Sequence, residues 1–318
     1  MRSMTGTVGT AACPRATLRP ALRRSFDMLS TLFAGVALVT VAASVLTEQT
    51  SDVSTPSNAA AESAPAALAP PGAEWMFAGY SGVPYTYPSD VTVTKTGRHD
   101  FTAKDVGWDG KPFINPIYYG ARIVRFGEGR FGGMLDFTHS KTIARLKEDA
   151  AFTGTLNGAP APARATLSEI FRRLEASHGH NMLTLNGLLR LASIGPRFQP
   201  YVGLGAGVSL PHAEVQMANA DKRTYEYQVA GAVGQALIGL EIRTARVSYF
   251  FEYKFTFAPY RMPLSEQDGS WLPLDLWRQF QNWRSGAEPP GGYAATQLTS
   301  HQGIFGLAIR SAPVAAAP

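Results

Sequence analysis

Cysteine is almost missing from this chain: Cys13 is the only one among 318 residues. It lies ahead of an apolar run, so a chain trimmed after that run has no disulfide, thiolate metal ligand or thiol nucleophile. Long apolar runs are just as scarce. The one that occurs is Met28–Leu46, and a mean hydropathy of −0.07 excludes a multi-helix membrane protein. It does not exclude a membrane β-barrel, which hides its apolar residues in alternation. Helical apolar periodicity is sparse beyond residue 46, and no Gly-rich nucleotide loop opens a helix. Positive charge is also thinner than the net +5 suggests. Arg2, Arg15, Arg19, Arg23 and Arg24 against Asp27 leave about +1 for everything after residue 46. There is no basic footprint for nucleic acid.

Those arginines, the apolar run and the small residues Ala42-Ala43-Ser44 read as a secretory signal peptide over residues 1–46. The run is also long enough for a single anchoring helix, although no positive stop-transfer flank follows it. Residues 47–72 are rich in Ala, Pro and Ser and read as a disordered linker. Residues 311–318 read as a flexible tail.

Between them the dominant signal is a period of two. In Ser248–Ala258, Tyr249, Phe251, Tyr253, Phe255 and Phe257 alternate with Phe250, Glu252, Lys254 and Thr256. Comparable alternation recurs at 73–81, 115–126, 130–142, 181–192, 200–210, 227–243 and 296–310, giving eight strand candidates. Connections alternate between short turns (127–129, 193–199, 244–246) and long stretches (82–114, 143–180, 211–226, 259–295). The pattern predicts an all-β fold over 73–310: an eight-stranded antiparallel transmembrane β-barrel with long extracellular loops. The competing reading is a soluble lipocalin-like barrel, which would want its apolar residues facing inward. Thr166–Glu175 predicts a short capped helix with Leu167, Ile170, Phe171 and Leu174 on one stripe, lying on the outer leaflet or folded over the barrel mouth.

This topology brings all six histidines to the end with the long connections: His99, His139, His178, His180, His212 and His301. Imidazoles gathered there suggest acid–base or metal chemistry, or merely polar loops. In E-A-S-H-G-H-N-M-L-T-L-N, His178 and His180 share parity and would reach one ligand from one strand face. His139 or His301 would supply a third nitrogen, with Glu214 and Glu226 as candidate carboxylates. Ser140 follows His139 directly, on the opposite face, so no Ser–His dyad is evident. In the lumen, Arg122, Asp136, Arg190, Glu241, Glu252 and Lys254 are expected to form one buried ion network, either a polar plug or a site where Asp136 or Glu252 acts in catalysis. Trp271, Trp277 and Trp283 in the last long loop would grip lipid or protein.

Several runs taken together carry a family resemblance: Tyr118-Tyr119-Gly120, Phe137-Thr138-His139, S-H-G-H-N-M-L-T-L-N at 177–186, P-Y-V-G-L-G-A-G-V-S-L-P-H-A-E-V at 200–215, Tyr225-Glu226-Tyr227-Gln228, and F-E-Y-K-F-T at 251–256. Over roughly residues 73–310 the chain resembles the lipid A oxidase family of α-proteobacterial outer-membrane barrels. The resemblance implies an outer-membrane enzyme acting on lipid A in the outer leaflet. It would use molecular oxygen to convert the proximal glucosamine to 2-aminogluconate, releasing hydrogen peroxide. Such an oxidation calls for a redox centre. Without cysteine or a flavin motif, that points to iron or copper on His139, His178, His180, His212 and His301. The candidate catalytic residues are His139, His178, His180, Asp136 and Glu252. Barrels of this class usually end in an aromatic residue read by the barrel assembly machinery; here the last strand ends at Arg310 and S-A-P-V-A-A-A-P follows.

Overall fold

A computed structural model describes residues 73–311; the expected signal peptide (1–46), the expected linker (47–72) and residues 312–318 lie outside the described residues. Eight strands form a continuous antiparallel ring. They are β1 (Glu74–Thr86), β2 (Tyr119–Phe126), β3 (Phe131–Ala144), β4 (Phe171–Arg190), β5 (Phe198–Ser209), β6 (Gly231–Arg243), β7 (Val247–Pro263) and β8 (Tyr293–Arg310). Each pairs with the next, and β8 pairs back onto β1 from Met76↔Arg310 to Thr86↔Ser300, leaving no free edge.

Register explains the alternation. Phe77, Ile123, Leu135 and Leu185 stand opposite one another across β1 to β4. Leu204, Ile238, Phe251 and Phe305 continue the row over β5 to β8, and all eight side chains are exposed. This apolar belt circles the outside of the ring. The other parity fills the lumen with buried polar and charged side chains, Asp136 and Lys254 among them.

The lumen charges form two networks rather than the single expected one. In the middle, Asp136 accepts from Lys254 (2.6 Å), Tyr80 (2.9 Å), Arg122 (3.2 Å) and Gln235 (3.2 Å). Glu252 accepts from Arg122 (2.7 and 3.0 Å) and Tyr201 (2.8 Å). At the short-turn end, Glu74 is shared by Arg190, Arg243 and Arg310, while Arg243 and Ser248 donate to Glu241. Met76, Val124, Phe126, Met134, Leu188 and Leu237 separate the two. Met and Leu at inward positions interrupt the polar parity, which is why one network became two.

The long connections are not plain loops. Ser89–Lys95 and His99–Val106 form a hairpin paired to the far end of β8 and to Asp149–Leu156. His212–Met217 pairs with the far end of β4 and with Thr224–Tyr227. β4 and β8, at 20 and 18 residues, extend beyond the ring and carry these additions. The expected helix at Thr166–Glu175 shrinks to one turn, α1 (Leu167–Ile170), opened by the Thr166 amide donating to Glu169 (3.1 Å). From Phe171 the chain is already strand. Its stripe is nonetheless buried: Leu167, Ile170, Phe171 and Leu174 join Val93, Phe101, Phe152, Tyr260 and Leu298 in an apolar core across the mouth of the ring. Burial in that core, not helical propensity, decides the conformation here. The last long connection carries a second helix, α2 (Leu272–Ser285), which strand alternation did not anticipate.

Candidate functional site

The histidines all lie toward the end with the long connections, but they point in different directions. Between Ala176 and His180 the register of β4 on β3 shifts, with Gly179 at a φ of 145°. That bulge breaks the period of two, so His178 and His180 do not share a face as their spacing suggested. His180 turns inward, is fully buried and hydrogen-bonds to Tyr260. His178 is exposed on the outer side. His301 sits elsewhere on the outer wall between Tyr253 and Tyr87, with Tyr87 Oη 2.6 Å from its Nε2. His99 packs on Phe101 in the added hairpin.

Three of the histidines, His139, His178 and His212, do come together with tyrosines. On the ladder Tyr119–His139–Asn181, the rings of Tyr119 and His139 stack 4.6 Å apart at 18°. Next to them, His212 meets the edges of Tyr225 (4.3 Å) and Tyr227 (4.5 Å). His178 stands 5.6 Å from His212 and 5.3 Å from Tyr225. A charge on His178 would be felt by both His139 and His212. Arg223, ion-paired to Glu214 (2.8 Å) and Asp268 (3.0 Å), covers Tyr225 from above (4.2 Å).

Hydrogen bonding sets the tautomers. The Asn181 amide nitrogen donates to Leu210 (3.1 Å), which turns its oxygen to His139 Nδ1 (2.8 Å); Nδ1 therefore carries the proton. His139 Nε2 is left as a buried lone pair with no partner. His212 Nε2 donates to the Gly269 carbonyl (3.2 Å), leaving its buried Nδ1 equally bare. Burial holds the His212 pKa below the ordinary imidazole value; the Gly269 bond raises it in part and His178 lowers it further. Burial also raises the carboxyl of neighbouring Glu226, offset in part by Ser265 and Gln228. The result is a set of imidazoles and phenols with two exposed members, Tyr119 and His178, suited to accepting and passing protons at an outward-facing surface.

The expected five-histidine metal centre is not assembled. Among the described residues no three or more His, Cys, Asp or Glu side chains are arranged to hold an ion. The bulge turns His180 inward, His301 faces outward on another part of the wall beside Tyr253 and Tyr87, and the members that remain interleave with tyrosines. Asp136 and Glu252 are not brought to any histidine; every oxygen they have is engaged within the lumen. Sequence reasoning assigned no role to Tyr119, Asn181, Tyr225 or Tyr227. The T-Y-E-Y alternation, which puts two tyrosines on one face, was the available signal.

No protein-family model matches the chain, and no curated protein sequence matches it. Among solved structures it is similar to Neisserial surface protein A, at 9% identity and a TM-score of 0.33, over 75% of this chain and 99% of that one. It is also similar to the outer membrane protein OprG from Pseudomonas aeruginosa, at 10% identity and a TM-score of 0.31, over 75% of this chain and 95% of that one. At these identities and scores neither similarity bears on activity or on the role of any residue.

Proposed function

We propose that this protein is an outer-membrane β-barrel whose histidine–tyrosine cluster acts on lipid A in the outer leaflet. The apolar belt supports the membrane reading. Trp75 and Tyr85 bracket it on β1, and that length of strand, tilted by about 40°, spans roughly 25 Å, the height of a lipid-facing band. A soluble barrel would leave the whole belt in water.

The observation that carries the functional reading is the position of the cluster. It faces outward at the end with the long connections, one step beyond the apolar belt, where the membrane reading would put lipid headgroups. The reaction that fits is the one the family resemblance implies, oxidation of the proximal glucosamine by molecular oxygen. A free anomeric centre loses its C–H and O–H hydrogens to oxygen as hydrogen peroxide, and water opens the resulting lactone to 2-aminogluconate. His178, exposed, takes the hydroxyl proton; His139 and His212, neutral and close, supply the polar wall. Imidazole nitrogens and phenol oxygens are donors that iron or copper accepts, but among the described residues no three His, Cys, Asp or Glu side chains are arranged to hold the redox metal that reaction with oxygen calls for. The lumen carboxylates have a structural role in this reading.

Mass spectrometry of lipid A from air-grown cells lacking the protein, with and without its restoration, tests the proposal. A gain of one oxygen on the glucosamine only when the protein is restored supports the oxidase. Unchanged lipid A from a protein folded in the outer membrane leaves a structural or surface-binding barrel, the reading the filled lumen also suits.

A further inference from the structure

α2 is inside out for a helix in water. Its one buried residue is Asp275, at 1% exposure, whereas Trp271, at its N-cap, and Trp277 and Trp283 are 65%, 55% and 57% exposed. Leu272, Leu274 and Phe280 are exposed with them, and Trp277, Phe280 and Trp283 pack ring to ring at 5.6 and 5.9 Å. The polar face does the docking. Asp275 accepts from the Tyr227 amide (3.2 Å), and Gln279 bonds both ways to the Val229 backbone (2.8 and 3.0 Å). An amphipathic helix on a globular surface places these faces the other way round.

The helix also lies along the barrel wall. From Gly269, which holds His212, it passes Tyr227 and Val229 and ends where Asn282 and Trp283 share a groove with Arg261 and Tyr293. Those two belong to the outward parity of β7 and β8, the parity of Phe251 and Phe305. Its aromatic face thus continues the apolar belt around the rim, beside the histidine–tyrosine cluster.

We infer that α2 is an interfacial helix whose tryptophan face is immersed in the outer leaflet. Tryptophan favours this boundary, where its ring meets acyl chain and its N–H meets water. A polar inner face and an apolar outer face are what lipid as the outer solvent demands. The inference rests on the membrane reading of the barrel and not on the oxidase reading.

Bromolipid quenching tests it on the full chain in phosphatidylcholine vesicles, with acyl chains plain or brominated near the headgroup. One variant carries Trp271→Phe, Trp277→Phe and Trp283→Phe and reports on Trp75 in the belt; the other carries Trp75→Phe, Trp271→Phe and Trp283→Phe and reports on Trp277. Trp108, buried, is a constant background in both. The expected result is loss of most Trp75 and Trp277 emission in brominated vesicles, with aqueous iodide reaching neither. Trp75 quenched by bromolipid but Trp277 by iodide means that the helix faces water, and overturns the inference while the barrel reading stands. Trp277 shielded from both quenchers means a protein cover and overturns it equally. Quenching of neither residue by bromolipid sinks the membrane reading, and the inference with it. Should a triple variant fail to fold, the difference between the natural chain and Trp277→Phe alone isolates the same signal.

Discussion

The two halves of this barrel have opposite polarity. Toward the short turns the charges are inside, paired around Asp136, Glu252 and Glu74, and the outside is Phe, Leu and Ile. Toward the long connections the inside is a mainly apolar core of Phe101, Phe152, Phe171 and Tyr260, the last bonded to His180, and the other imidazoles and phenols gather on the outer side. On the membrane reading proposed above, one chain obeys two rules because its surroundings change: with lipid outside, polar groups must be satisfied within, and beyond the belt water restores the usual arrangement. α2 is the exception above the ring, with its apolar face outward.

The largest effect should come from breaking the lower half at its centre. Asp136→Ala leaves buried Lys254 without its ion-pair partner and should cost about 3–5 kcal/mol in denaturant unfolding of the vesicle-inserted protein. A cost near zero would mean that the plug is hydrated. Phe171→Ala opens the upper core at about 3–5 kcal/mol. Hydrogen exchange should then rise in Ser89–Lys95 and Asp149–Leu156 while β1 to β8 stay protected; uniform loss of protection would join the halves into one cooperative unit. Leu185→Arg on the belt should cost about 2–4 kcal/mol in a bilayer and almost nothing in a soluble barrel.

How much of this was legible depends on what surrounds each residue. The ring strands were readable because lipid outside and charge inside impose strict alternation, as at Tyr249–Phe257. The hairpin at Ser89–Val106 also alternates, as V-T-V-T, but it is short and lies inside the long connection 82–114, so nothing distinguished it from a loop. The bulge at Gly179 changes which way His178 points without changing composition, so the histidines could be read toward the long connections but not which of them face one another. α2 escaped notice because Pro273 and clustered tryptophans gave no water-facing polar stripe to recognise. The lumen charges were visible as residues, but their division into two networks depends on Met134 and Leu188, which read as ordinary strand positions.

The smallest predicted effect is a pH dependence confined to the upper half. The pKa of His212 is depressed in the folded state, so its contribution is fully present above the unfolded value of about 6.5 and is lost as pH falls through the folded one. Exchange in His212–Met217 and Thr224–Tyr227 should rise on acidification below that value. His212→Gln should remove this rise and leave the opposite trend of Glu226, whose raised pKa favours the folded state toward acid. Identical profiles for the two chains would show that His212 is solvated.

The central claim is that chemistry belongs to the outer rim and the lumen is structural. The most direct measurement is the lipid A mass spectrum of cells carrying His178→Ala or Glu252→Gln, with each variant verified as folded in the outer membrane. The account predicts that the added oxygen disappears with His178→Ala and persists with Glu252→Gln. Persistence without His178, or its loss from a folded Glu252→Gln barrel, would contradict the account and move the active site into the lumen or away from both.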